Sequence, residues 1–162
     1  MAIKNEATIN DPLINKLRAA IEHRATWMYM LMDEARKKGL DWDDFARKAI
    51  HRCGMFHGEN KFKKEGDLEK FSKMFADEDG ARVFEMDVKE STGDKLYIEF
   101  HYCPLLSAWK KAGASDEDCA KLCDIAMDGD RGIIDAIPSY QFTLGDTIAK
   151  GGPCCQVTID KK

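Results

Sequence analysis

Near the start of the chain, apolar residues recur at helical spacing. Leu13, Leu17, Ala20, Ile21, Trp27, Met28, Leu31 and Ala35 predict a long helix. Asp11 serves as its N-cap, Pro12 as its first residue, and Gly39 ends it after Arg36, Lys37 and Lys38. A second helix is predicted from Asp41 to Asn60, with Asp43 and Asp44 in its first turn and Phe45, Ala49, Ile50, Cys53, Phe56 and His57 along it. Gly54 and Gly58 share one face of that helix. A glycine costs up to about 1 kcal/mol against alanine in a helix interior, so either another backbone or a ligand comes close there, with His57 beside the notch. Asp67 to Asp79 reads as a further short helix that buries Leu68, Phe71, Met74 and Phe75 and breaks at Gly80.

From Arg82 the period changes to two. Phe84, Met86 and Val88 alternate with Glu85 and Asp87, Ser91 to Asp94 is turn chemistry, and Leu96, Ile98 and Phe100 alternate with Tyr97, Glu99 and His101. Pro104 then opens a short helix closed by Gly113. Ser115, with Asp118 three residues on, starts another that runs through Cys119, Leu122, Cys123 and Met127. Asp128-Gly-Asp-Arg-Gly132 reads as a charged loop before one turn at Ile133 to Ile137. A second hairpin closes the chain: Tyr140 to Leu144, a turn at Lys150 to Pro153, and a strand in which Cys155, Val157 and Ile159 face the core. The predicted class is α+β, with an antiparallel sheet of about four strands in two hairpins packed against several helices.

Size and composition narrow the function classes. The 162 residues fit one domain, 1–162, with 44% hydrophobic and 33% charged residues. A net charge of −4, with lysines interleaved among acids, argues against a nucleic-acid footprint, and no apolar run has membrane-spanning length. The polar N-terminus lacks the apolar stretch of a secretory signal, so a cytoplasmic location is expected, with the six cysteines reduced. Cys119 and Cys123 have no matching second pair and Cys154 and Cys155 are adjacent, so no metal site and no cofactor are expected. Trp27, Met28, Met30, Leu31 and Met32 surround much of the first helix, which leads us to expect a homodimer.

The chemistry gathers at the junction His101-Tyr102-Cys103-Pro104. A thiol at a strand-to-helix junction faces unpaired N–H groups, which favour thiolate, and by strand alternation His101 shares its side. Tyr97, Glu99 and Cys154 fall on the same predicted polar face. The other reading of Cys103 and His101 is a buried thiol beside a satisfied histidine. Asp128 and Arg131 on the Gly-flanked loop suit ligand binding, whereas Asp130 alone reads as a locally paired turn charge.

These residues resemble the L-2-amino-thiazoline-4-carboxylic acid hydrolase family. The likeness rests on His101-Tyr102-Cys103-Pro104-Leu105, Trp109 and Gly113, Cys123 with Asp128, and Phe142-Thr143-Leu144 with Gly151-Gly152-Pro153-Cys154-Cys155. The architecture is also similar, more distantly, to the 4-vinyl reductase small-molecule-binding fold. The family resemblance implies hydrolytic opening of a 2-aminothiazoline ring to an N-carbamoyl-cysteine-type product. On that reading Cys103, His101 and Asp128 are catalytic: either a water activated by His101 or the Cys103 thiolate adds to the ring carbon between nitrogen and sulfur. Asp128 or Glu99 would bind the amidine nitrogen and Arg131 the substrate carboxylate, with His57, Cys154 and Tyr97 lining the site. A reactive Cys103 would be alkylated faster than the other thiols. The competing classes are a non-enzymatic small-molecule-binding module, in which all six thiols label slowly, and a Cys/His metalloenzyme, which elemental analysis would reveal.

Overall fold

The computed structural model describes residues 3–62 and 67–162. Among these, seven α-helices and four strands follow in the order α1 (Pro12–Lys37), α2 (Trp42–His57), α3 (Leu68–Phe75), α4 (Glu78–Phe84), β1 (Met86–Ser91), β2 (Lys95–Phe100), α5 (Pro104–Lys111), α6 (Asp116–Ala126), α7 (Asp128–Asp135), β3 (Tyr140–Leu144) and β4 (Cys155–Lys161). A π-helical turn, Gly58–Phe62, extends α2, and a 3-10 turn, Ile148–Lys150, precedes β4. The sheet is antiparallel in the order β1-β2-β4-β3, so the two hairpins join through β2 and β4, with Phe100 opposite Cys155 and Ile98 opposite Val157. The predicted α+β class and the long N-terminal helix are both present.

One sheet face carries Leu96, Ile98, Val157 and Ile159, all fully buried under Phe71 and Leu68 of α3 and Ile134 of α7. A second cluster lies among the helices, where Trp109, Leu106, Leu122 and Ile125 pack with Tyr29, Met32, Trp42 and Cys155. Its two indoles are satisfied: Trp109 Nε1 donates to Ala25 O at 3.1 Å and Trp42 Nε1 to Met32 O at 2.7 Å.

Local signals placed the helix starts well. Asp11 accepts from the Leu13 and Ile14 amides and Ser115 from the Asp118 amide, caps of the kind that contribute about 1 kcal/mol each. Elsewhere tertiary structure overrides the pattern. The buried stripe of α1 is Ile14, Arg18, Ala25, Tyr29 and Met32, whereas Leu13, Trp27 and Leu31 are exposed. The hydrophobic reading missed this stripe because a charge lies in it. Arg18 donates to the carbonyls of Ile9, Val83 and Arg82, pairs with Glu85 at 2.9 Å and stacks 4.5 Å over the Tyr102 ring. Glu85 in turn accepts from the Thr8 and Ile9 amides and the Thr8 hydroxyl, so the buried pair is satisfied on both sides.

The expected strand at Phe84 is the last turn of α4. Glu85 breaks that helix with a left-handed backbone, φ 50°, and β1 begins only at Met86. Val88 is exposed beside a bulge on this edge strand.

The largest departure is at Asp128 to Gly132, which is helical. A Cβ on Gly54 would lie 2.0 Å from Gly129 O, and one on Gly132 would lie 2.2 Å from His51 O. The Gly54 notch is therefore a helix-on-helix seam between α2 and α7, and the glycines that read as loop punctuation are what let the two backbones touch.

Candidate active site

Strand alternation predicts Cys103 and His101 on one side of the sheet; the structure leaves His101 and Cys154 near Glu99 and turns Cys103 away from them. β2 ends at Phe100, so alternation no longer governs residues 101–103. His101 is exposed and its Nε2 lies 3.6 Å from Glu99, which also accepts from the Tyr97 hydroxyl at 2.8 Å. That hydrogen bond and the neighbouring carboxylate push the Tyr97 phenol above its ordinary value. Cys154 is buried beside this group; desolvation first, then Glu99 and Asp146, raise its thiol. Asp87, Glu99 and His101 bring one ligand atom each within 4.8 Å of the others, a juxtaposition the sequence reading missed. Lys89 already contacts both carboxylates, so their charge is largely balanced within the cluster.

Cys103 turns inward. Asn5 holds its backbone with two hydrogen bonds, Asn5 Nδ2 to Cys103 O at 2.8 Å and Cys103 N to Asn5 Oδ1 at 2.9 Å. The side chain joins the helical cluster with Met28, Ile50 and Leu105. The Leu106 and Leu105 amides at the start of α5 favour thiolate as expected, but desolvation is the larger effect and pushes the thiol up to about 12. The expectation of an activated thiolate is thus corrected: at a buried helix N-terminus, loss of solvent outweighs the dipole. Behind it, the Cys155 thiol, hydrogen-bonded to the Cys123 sulfur, and burial push Cys123 strongly upward. Thr147 Oγ1, fully buried and without a conventional partner, adjoins that sulfur.

Asp130, which the sequence offers only as a turn charge, is near enough to Cys103 for its charge to oppose the thiolate weakly. Desolvation pushes its carboxyl up to about 6, against the pull of Arg131 and Arg24, and no hydrogen bond contributes. Both Cys103 and Asp130 keep part of their surface accessible although each is deeply surrounded by protein. Met28 of α1, Ile50 of α2 and Leu105 of α5 pack against the same helical cluster as Cys103, and a Cβ added to Gly129 of α7 would stand 3.7 Å from Ile50.

The remaining expected residues lie elsewhere. Arg131 donates to Asp128 at 2.6 Å, to Asp124 at 2.8 Å and to the Asp124 carbonyl, while Arg47 joins Asp43, Asp124 and Asp128. Asp128 and Arg131 therefore neutralise one another in a partly buried network, with Asp128 itself buried. His57 is exposed and packs edge-on to Phe56. Two depressions of about 510 Å³ open broadly on the surface, one lined by Arg47, Lys48, His51, Arg52 and Asp128, the other reaching His101 past Thr8 and Glu85. Many of their charged groups are already committed: Arg47 to three aspartates, Glu85 to Arg18 and Thr8, and Arg82 to Asp11.

The sequence model of the L-2-amino-thiazoline-4-carboxylic acid hydrolase family matches residues 18–159. The chain belongs to that family. The family match spans Cys103, Asp130 and Arg24 alike, and the family's name carries a hydrolase activity on a small cyclic substrate. No curated protein matches the sequence. Among solved structures, a trafficking protein particle complex subunit 3 from Naegleria fowleri, covalently bound to palmitic acid, superposes with a TM-score of 0.59 at 13% identity, covering 87% of this chain and 94% of that one. This family member shares that fold. Among the described residues, no helix is long and apolar enough to cross a membrane.

Proposed function

We propose that the chain opens the ring of L-2-amino-thiazoline-4-carboxylate, or a close cyclic amidine, by adding water with Asp130 as the base. The observation that carries this reading is Asp130: a deep, partly accessible carboxylate with no hydrogen bond, beside a thiol, in a chain of this family. With its pKa pushed up to about 6, Asp130 is a base at neutral pH and close to the value that serves proton transfer best. It takes a proton from water as the water oxygen bonds to the ring carbon between nitrogen and sulfur. The carbon–sulfur bond then breaks, the ring sulfur departs as thiolate, and the proton held on Asp130 returns to it. Substrate and water together make up the N-carbamoyl-cysteine product, with no other reactant. Cys103, protonated at neutral pH, is not the nucleophile. His101, on the open sheet face, is not needed for the step.

The test is release of free thiol from L-2-amino-thiazoline-4-carboxylate by the purified protein, in wild type, Asp130→Asn and Cys103→Ala. A general base contributes roughly 10² to 10⁴ in rate, so Asp130→Asn loses that much, while Cys103→Ala keeps a measurable rate. No thiol release by wild type sinks the hydrolase reading, and total loss in Cys103→Ala with an active Asp130→Asn replaces the water route with a covalent one. The fold shared with a palmitate-bearing structure favours a second reading, a binding module that holds its ligand without turnover. Ligand-induced thermal stabilisation without thiol release would select it.

We further propose that two copies associate through α1, where Trp27 and Leu31 are each about two-thirds exposed. Light scattering should give twice the chain mass, falling to one in Trp27→Asp. Six free cysteines fit a reducing compartment such as the cytoplasm.

A further inference from the structure

The open sheet face holds a group of side chains that ring opening at Asp130 does not use. Asp87 on β1 and Glu99 on β2 are direct partners across the hairpin, so the strand register holds their carboxylates side by side. His101 follows two residues later, its backbone anchored by a hydrogen bond from its amide to the Glu85 carbonyl at 3.1 Å. One oxygen from each acid and one ring nitrogen lie within 4.8 Å of one another, so small rotations bring all three to the lengths of about 2.0–2.2 Å at which zinc is held. Among the described residues, no other three His, Cys, Asp or Glu side chains come together in this way. The two oxygens of Glu99 are used differently. Oε1 accepts from the Tyr97 hydroxyl at 2.8 Å, which fixes the carboxylate's rotation and leaves Oε2 turned to His101 Nε2 and Lys89 Nζ, each 3.6 Å away. An outer hydrogen bond of that kind is what orients a ligating carboxylate at a metal site. Lys89 reaches Asp87 as well, so its ammonium bridges the two carboxylates as a tethered cation.

We propose that Asp87, Glu99 and His101 form a binding site for one divalent transition-metal ion, Zn²⁺ by preference, with Tyr97 positioning Glu99 and Lys89 as the built-in competitor that the ion displaces. An imidazole in the set favours Zn²⁺ over Mg²⁺ or Ca²⁺, which take oxygen ligands. The ion carries two charges where the ammonium carries one and binds the lone pairs directly. Lys89 is 43% exposed, so its ammonium can turn out to water as the ion enters. Three protein ligands leave a coordination position for water or an anionic ligand. His101 also borders the depression of about 510 Å³ that runs past Thr8, Glu85 and Met86, which gives such a ligand room. The site owes nothing to Asp130, and its fate is independent of whether the chain hydrolyses a ring.

The experiment is calorimetric titration of the full chain with zinc chloride, after a chelator has been applied and removed, on wild type, Asp87→Asn, Glu99→Gln, His101→Ala, Tyr97→Phe and Lys89→Gln. Each of the three ligand variants should raise the Kd for zinc by at least about tenfold, and Tyr97→Phe by about tenfold, as loss of an outer-shell partner does. Lys89→Gln should bind about two- to fivefold more tightly, which is what an exposed ion pair is worth. A gain in affinity cannot come from misfolding, so that arm decides even where a ligand variant loses structure. The six free thiols can also take zinc, so Mn²⁺, which prefers oxygen ligands, places the ion: the amide NMR signals of Asp87, Glu99 and His101 should broaden first. Zinc affinity unmoved in all three ligand variants, or broadening centred elsewhere, overturns the assignment. So does the absence of binding in both wild type and Lys89→Gln. Unchanged affinity in Lys89→Gln alone removes the competitor role.

Discussion

Two places in this molecule hold the same kinds of groups and treat them oppositely. On the open face of the sheet, Tyr97, Glu99, His101 and Cys154 sit with Asp87 and Lys89, and hydrogen bonds or opposite charges engage most of them. Among the helices, Cys103 and Asp130 are drawn out of water with little in return, one pushed up to about 12 and the other up to about 6. The difference teaches where chemistry can reside. A charge that is already satisfied gains little from a ligand, whereas a carboxylate kept unpaired and desolvated is stabilised by whatever cation arrives. Residue type alone marks the sheet face as the richer group; environment marks Asp130.

The comparison breaks most visibly in turnover. Asp130→Asn should lower kcat on L-2-amino-thiazoline-4-carboxylate by roughly 10² to 10⁴, while Glu99→Gln and His101→Ala should stay within about threefold of wild type. A large loss in His101→Ala with an unaffected Asp130→Asn would move the site to the sheet face.

Alkylation sharpens it next. A thiol pushed from 9.0 up to about 12 keeps roughly a thousandth of the ordinary thiolate fraction at neutral pH. In native protein, iodoacetamide should therefore take exposed Cys53 first and Cys103 at least a hundredfold more slowly, as followed by peptide mass spectrometry. This reverses the order that the helix N-terminus alone suggests. Rapid labelling of Cys103 would show an activated thiolate after all.

The smallest effect is in stability against pH. Asp130 has its folded pKa raised from 3.8 to about 6, so its ionised form burdens the folded state. Both states are ionised above pH 6 and the penalty is complete there; it fades as pH falls from 6 towards 4 and the folded state takes up its proton. Asp130→Asn should therefore be the more stable protein at pH 7.5, with the gap closing near pH 4, measured by urea denaturation at each pH. A wild type more stable than the variant at pH 7.5 would mean that Asp130 has a partner.

Much of the architecture was open to reading before any coordinates. Asp11-Pro12, Ser115 and the alternation around Leu96 to Phe100 and Cys155 to Ile159 each act locally, and each element formed where its own residues place it. Cys103 at a strand-to-helix junction was equally legible. What escaped depends on groups distant in sequence. Arg18 is buried because Ile9, Val83 and Glu85 supply its acceptors, and no periodicity along α1 announces that. Asp130 reads as a turn charge because Gly129 and Gly132 flank it, and only their contact with α2 makes the segment a helix that carries the carboxylate inward.

The seam between α2 and α7 has a mechanical consequence. Where two backbones touch without intervening side chains, there are no rotamers to absorb a displacement, so the pair behaves as a single stiff plank. Asp130 is mounted one residue past Gly129 on that plank, while Cys103 is moored from the other side by Asn5. The placement of Asp130 relative to Cys103 is accordingly set by main chain on both sides, so a variant that shifts either backbone moves the two groups apart as a unit.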